Sequence, residues 1–247
     1  LKEVDDYCHS LGMKFGIWFE PESISIDSDL YRAHPDWVIQ QPGRLPNLSR
    51  NELVLDFSRV DVQDYILERI RAILTEAPIS YIKWDMNRSI CDKYSNQLDA
   101  LHQGEFAHRY ILGLYRVFEA IYQEFPEVII ESCSGGGGRF DAGILYYTPQ
   151  IWCSDNTDAI SRLDIQYGTS FGYPVSAMGA HVSAVPNHQT GRVTPIETRG
   201  CVAMSGTFGY ELDITKLSEE DKAMVQKQTA MYHMFNDIVR EGDYYRI

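Results

Sequence analysis

Two aspartates stand where a polypeptide could use them for acid, base or nucleophilic chemistry. In the run YIKWDMNR, from Tyr81 to Arg88, period-two alternation puts Tyr81, Lys83 and Asp85 on one side of a strand and Ile82 and Trp84 on the other. Lys83 and Asp85 then face the same space. An ammonium beside a carboxylate favours its ionised form, and an ionised carboxylate fixed at a rigid strand end is what a nucleophile requires. The same two residues would also make an ordinary surface salt bridge. A second carboxylate comes from IWCSDNTD, Ile151 to Asp158, where Cys153 and Asp155 share a side by the same parity. Asp155 suits a general acid, since a nearby anionic Asp85 and the bulk of Trp152 would hold its proton for a leaving group. A turn aspartate with no catalytic duty is the plainer reading. Asp158 competes for the role, but it directly precedes a helical pattern, where an N-cap aspartate is stabilising.

Other motifs point to less. Gly135–Gly138 has neither the GK[ST] nor the GxGxxG register of a phosphate loop, so its four glycines are expected to let backbone approach something closely. Cys133, just before them, either touches a ligand or is a buried small hydrophobe. Gly168–Gly172 matches GxSxG, but a helical pattern precedes the serine and a strand pattern follows, the reverse of a nucleophile elbow. Glu105-Phe-Ala-His108 is half of a di-iron helix motif whose second copy is missing. No metal is implied.

The strand ends that carry these residues belong to a regular alternation. A helix is expected over Lys2–Leu11, with Val4, Tyr7, Cys8 and Leu11 as its apolar stripe and Gly12 as its stop. Strand patterns cover Lys14–Glu20, Leu53–Phe57, Ile79–Met86, Val128–Cys133, Gln150–Asp155, Tyr173–Ala177 and Cys201–Phe208. Helical patterns cover Val60–Leu74, Phe106–Phe125, Asp158–Tyr167 and Ser218–Val239. Strand alternating with helix reads as βαβ units around a parallel sheet, and nothing in the sequence marks a linker. A single α/β domain over residues 1–247 is the expectation. Five or six convincing strands fall short of the eight of a closed (β/α)8 barrel, and the opening helix would follow a strand that is not here. An open doubly wound sheet lacks the glycine fingerprint of a nucleotide-binding version.

With 22 Lys and Arg against 35 Asp and Glu, the net charge of −13 repels phosphate backbones and anionic lipid, so nucleic acid and membrane are poor partners. A neutral substrate fits better. No apolar run approaches the roughly 18 residues of a bilayer span. Five cysteines at irregular spacings suggest neither a disulfide framework nor a zinc knuckle, and point to a reduced, cytoplasmic setting. The chain opens without methionine or leader and is read as a piece of something longer.

KWDMNR at Lys83–Arg88, SCSGGGGRFD at Ser132–Asp141 and WCSDNTD at Trp152–Asp158 resemble glycoside hydrolase family 36, the α-galactosidases of melibiose and raffinose breakdown. WFEPE at Trp18–Glu22 and DLYRAHPDW at Asp29–Trp37 are similar to the same family. The resemblance implies a (β/α)8 TIM barrel, incomplete here with its first two strands missing, and retaining hydrolysis of terminal α-galactosyl residues without a cofactor. It implies Asp85 as nucleophile and Asp155 as acid/base, with the two carboxylates about 5 to 5.5 Å apart across the sugar. Arg50, Lys83, Trp84, Asn87 and Cys133 would contact sugar hydroxyls. Trp18 would be a stacking platform or a buried barrel tryptophan.

The substrate implied is a small oligosaccharide, and the full-length protein would be a homo-oligomer. α-N-Acetylgalactosaminidase and a galactosyl transferase of the raffinose-synthase kind would use the same two aspartates, whereas a carbohydrate-binding module would need an aromatic platform and no carboxylate pair. There are departures. The family's DDGW-type motif for the galactose 4- and 6-hydroxyls does not occur, and Ser23 stands where methionine is expected. An isolated, unclosed barrel is expected to be poorly stable and inactive.

Overall fold

The computed structural model describes residues 1–246. The chain divides into two compact units: Leu1–Gly135 with Tyr146–Thr148, and Gly136–Leu145 with the chain from Pro149 onward. In order, the first holds α1 (Lys2–Ser10), β1 (Gly16–Phe19), β2 (Ser23–Ser25), α2 (Asp29–Ala33), β3 (Glu52–Val54), α3 (Val60–Glu76), β4 (Tyr81–Asp85), α4 (Phe106–Glu124) and β5 (Ile129–Cys133). β1 pairs with β4 and β4 with β5, all parallel, which sets Trp18 opposite Lys83 and Asp85 opposite Cys133. β2 and β3 pair antiparallel, with α2 in the connection between them.

Two amphipathic helices supply the core of this unit. α3 buries Val62, Ile66, Leu67, Ile70 and Leu74 at helical spacing, and α4 buries Tyr110, Leu114, Val117, Phe118 and Ile121. Between them and the sheet lies Trp84, fully buried, with its ring edge-on to Phe118 at 4.8 Å. α1 forms where expected. Val4, Tyr7 and Leu11 are exposed and Asp5 is buried, with the His9 ring 3.3 Å from its carboxylate.

The second unit runs α5 (Ala142–Leu145), β6 (Gln150–Ile151), α6 (Ala159–Thr169), β7 (Gly179–Ser183), α7 (Ile196–Ala203), β8 (Thr207–Glu211) and α8 (Glu219–Glu241). β7 and β8 are parallel, and Ile151 of β6 bridges Met178 in the same sense. Ala180, Val182, Ile196 and Ala203 form the core, with Phe208 and Tyr210 packed on it. An α/β fold with parallel strands is therefore present, as the alternation implied.

Three expected strands are corrected here. Tyr173–Ala177 is not a strand: Pro174 leads into a 3-10 turn, Val175–Ala177, and the ladder starts at Gly179. Gly179 and Ala180 hid that strand because small residues carry little β signal. Gly179 is needed there, since a Cβ would lie 2.6 Å from the Trp152 ring. Cys201 belongs to α7, and β8 begins only after Gly206. The strand expected to reach Asp155 stops at Ile151. No helix of the described residues is long and apolar enough to cross a membrane.

Candidate active site

Asp85 is the last residue of β4 and only 7% exposed. The Met86 amide donates to its Oδ1 at 2.9 Å, and the Trp18 indole N–H donates to Oδ2 at 3.2 Å from the adjacent strand. Both donors are neutral, and between them they hold the two carboxylate oxygens in place. A carboxylate so held has a fixed direction, which suits it to nucleophilic attack. Trp18 is 49% exposed, so one part of its ring serves Asp85 while the rest stays open.

Lys83 lies on the same side of β4, as alternation required, but its close carboxylate is Glu131, opposite it on β5, at 3.4 Å. Glu131 is a partner that alternation along β4 alone did not show, brought level with Lys83 by the parallel register, while Asp85 also acts on the ammonium. Burial pulls the Lys83 ammonium down. Glu131, Cys133 and more weakly Asp85 outweigh that pull, and the group ends above its ordinary value. The Tyr81 hydroxyl also donates to Glu131, and burial together with that carboxylate pushes its phenol far up. Lys83 is a fixed cation at neutral pH.

Arg50 and Asn51 form the two-residue tip of the turn from Ser49 to Glu52, both at positive φ, 54° and 61°. The backbone of Ser49 and Glu52 closes it, with Glu52 N donating at 2.9 Å and Ser49 N at 3.4 Å. Two non-glycine residues in this region make a costly turn, which the surroundings must hold. Arg88 does so, donating to the carbonyls of Asn47, Ser49 and Glu52. Arg50 Nη1 reaches Glu20 Oε1 at 2.7 Å, and the Asn87 amide donates to the same oxygen at 2.5 Å. Two of the expected sugar contacts therefore converge on Glu20. Sequence reasoning gave Glu20 no role, although it continues the Trp18 alternation at the end of β1.

Trp84 is not part of this cluster. Its side chain points to the opposite face of β4, where the indole N–H donates to the buried Glu22 at 2.8 Å and Tyr110 donates to the other carboxylate oxygen at 2.6 Å. The parity that put Lys83 and Asp85 together excludes Trp84 from their side. Cys133 is buried in β5, its carbonyl accepting from the Met86 amide at 3.0 Å.

In the second unit Asp155 follows β6 on a segment without a ladder. The Gln189 amide donates to its carbonyl at 3.1 Å. The glycines pack closely on this segment. A Cβ on Gly136, at φ +82°, would lie 2.7 Å from Ser154 Cα and 2.8 Å from Asp155 N, and one on Gly137 would lie 2.7 Å from the Cys153 carbonyl. Close backbone approach is thus what the run provides. Asp158 caps α6, accepting from the Ser161 amide at 3.0 Å and pairing with Arg192. Its structural reading holds.

The serine decoy loses its context. Ser170 caps the C-terminus of α6 and donates to the Tyr167 carbonyl at 2.6 Å. Among the described residues no group of three or more His, Cys, Asp or Glu could hold a metal ion.

A family model described as Melibiase matches residues 1–242. The chain is 59% identical to Alpha-galactosidase AgaA of Geobacillus stearothermophilus over 97% of its own length and 33% of that protein's. It is 56% identical to Bifunctional alpha-galactosidase/sucrose kinase AgaSK of Mediterraneibacter gnavus, over 100% of this chain and 26% of that one. The crystal structure of GH36 alpha-galactosidase AgaA aligns with a TM-score of 0.98 at 58% identity, covering 100% of this chain and 34% of that chain. The chain thus spans between about a quarter and a third of the length of these relatives.

Proposed function

Because the chain belongs to the melibiase family, we propose that the protein is an α-galactosidase releasing terminal α-galactosyl residues from small oligosaccharides such as melibiose and raffinose. Relatives at 54–59% identity carry the name alpha-galactosidase. Variants of AgaA are described in complex with raffinose and with stachyose. The proposal includes the setting: residues 1–247 form part of one catalytic (β/α)8 barrel, which the parallel strands and intervening helices support. A reducing, cytoplasmic location goes with it, supported by the odd number and irregular spacing of the cysteines.

Asp85 attacks the anomeric carbon while Asp155 gives its proton to the leaving oxygen, and a covalent galactosyl-enzyme forms. Asp155 then removes a proton from the water that breaks this bond, and galactose leaves with its configuration retained. The observation that carries this reading is the fixed, buried Asp85 carboxylate at the end of β4, held by Trp18 and Met86. A further support is the spacing of the aspartates. The raffinose and stachyose complexes of AgaA each carry a substituted aspartate, and those two positions lie 70 residues apart, the separation of Asp85 and Asp155. Arg50, Asn87 and Lys83 offer charged and amide donors to sugar hydroxyls, and the exposed part of Trp18 offers a stacking face.

The test is hydrolysis of an aryl α-galactoside by the full-length protein and by Asp85→Asn, with the aryl α-N-acetylgalactosaminide alongside. Galactoside turnover that disappears in the variant is expected. Turnover of neither substrate by folded protein would overturn the proposal.

A further inference from the structure

Arg162 closes the first turn of α6 and is 3% exposed. A buried guanidinium must place its donors, and all of those accounted for go to one stretch of chain and its neighbour. Nε donates to the Asn156 carbonyl at 2.7 Å, Nη2 to the Ser154 carbonyl at 2.5 Å, and Nη1 to Cys153 Sγ at 3.1 Å and the Gly179 carbonyl of β7 at 2.9 Å. The guanidinium carbon sits 4.7 Å from the centre of the Trp152 ring. Gln189 takes the carbonyl in between, that of Asp155. Three successive carbonyls, 154 to 156, are therefore satisfied by side chains where a strand would have satisfied them by a ladder.

We infer that Arg162 is the positioning residue for Asp155: its planar fork replaces the missing ladder and fixes the backbone that aims the carboxyl group. This rests on the reading of Asp155 as acid/base. A lysine could not substitute, because one point charge cannot meet three carbonyls, a sulfur and a ring face in fixed directions. The glycine loop completes the clamp, since Gly136 and Gly137 press on Cys153–Asp155.

A loosened acid/base has a kinetic signature that a general loss of structure lacks. Protonation matters when the leaving group is a sugar and matters little when it is 4-nitrophenolate. In full-length Arg162→Lys, kcat/KM for raffinose should fall about 100-fold and that for 4-nitrophenyl α-galactoside by less than about 5-fold. Azide, a nucleophile that needs no general base, should raise kcat on the aryl substrate. Equal losses on both substrates without an azide effect, or no loss on either, would overturn the inference. If Arg162→Lys gives no cooperative melt, Gln189→Ala decides, because that side chain is at the surface. The same selective loss, smaller in size, is expected there, and its absence would overturn the inference. A wild-type enzyme inactive on both galactosides would instead fail the α-galactosidase reading itself, and this inference with it.

Discussion

The Trp18 indole donates to Asp85 Oδ2 at 3.2 Å across the β1–β4 pair, although the two residues are 67 positions apart in the chain. The parallel register puts Trp18 level with Lys83, and the indole spans the two further residues to reach the carboxylate. One side chain thus fixes the proposed nucleophile and keeps half its own surface open.

Trp18→Phe removes that N–H together with part of the ring area. A hydrogen bond to a charged group contributes about 1.5–3 kcal/mol, so Trp18→Phe should lower kcat/KM for galactosides by about 10- to 100-fold. The melting transition should stay close to the wild type. A variant of unchanged activity would show that the bond does not serve the reaction.

Gly136→Ala forces a Cβ against Ser154 and Asp155 at a φ of +82°, where side chains are strained. The cost is about 1–3 kcal/mol, measured by denaturant unfolding. Because the clash falls on the segment carrying Asp155, turnover of raffinose should drop as well. Wild-type stability and turnover would mean the loop can move aside without consequence.

Trp84→Phe separates core from sugar contact. The change leaves Glu22 with one fewer donor and should cost about 1–3 kcal/mol in stability. KM for galactosides should stay within about twofold, since the indole faces the core. A large rise in KM at wild-type stability would place Trp84 at the substrate.

Much of this arrangement was legible in the sequence, and the gaps have physical causes. Alternation along β4 put Lys83 and Asp85 on one side and Trp84 on the other, and the N-cap pattern identified Asp158. Alternation cannot give the register of a neighbouring strand. That is why Glu131 as the partner of Lys83, and Glu20 as the meeting point of Arg50 and Asn87, were invisible. Arg162 reads from sequence as one more basic residue on a helix, and only the end of β6 at Ile151 gives it a task. β7 was hidden by its small residues, and α7 by the β-like run that follows it.

The Lys83–Glu131 pair gives a pH expectation with a definite sign. Lys83 is raised above its ordinary 10.5 in the folded protein, so its stabilisation is complete below that pH and is lost as pH climbs through the higher folded value. The stability deficit of Lys83→Met relative to wild type should therefore be constant from about pH 6 to 9 and shrink only in alkali. A deficit that already vanishes near neutral pH would contradict the raised value.

The most direct measurement is to trap the galactosyl-enzyme. Full-length protein would be treated with a fluorinated α-galactosyl fluoride that forms the intermediate quickly and releases it slowly, digested, and analysed by mass spectrometry. The expected result is a label on the peptide spanning residues 81–88, located at Asp85. A label on another carboxylate, or rapid turnover of the reagent with no covalent species and inverted product, would contradict the role given to Asp85.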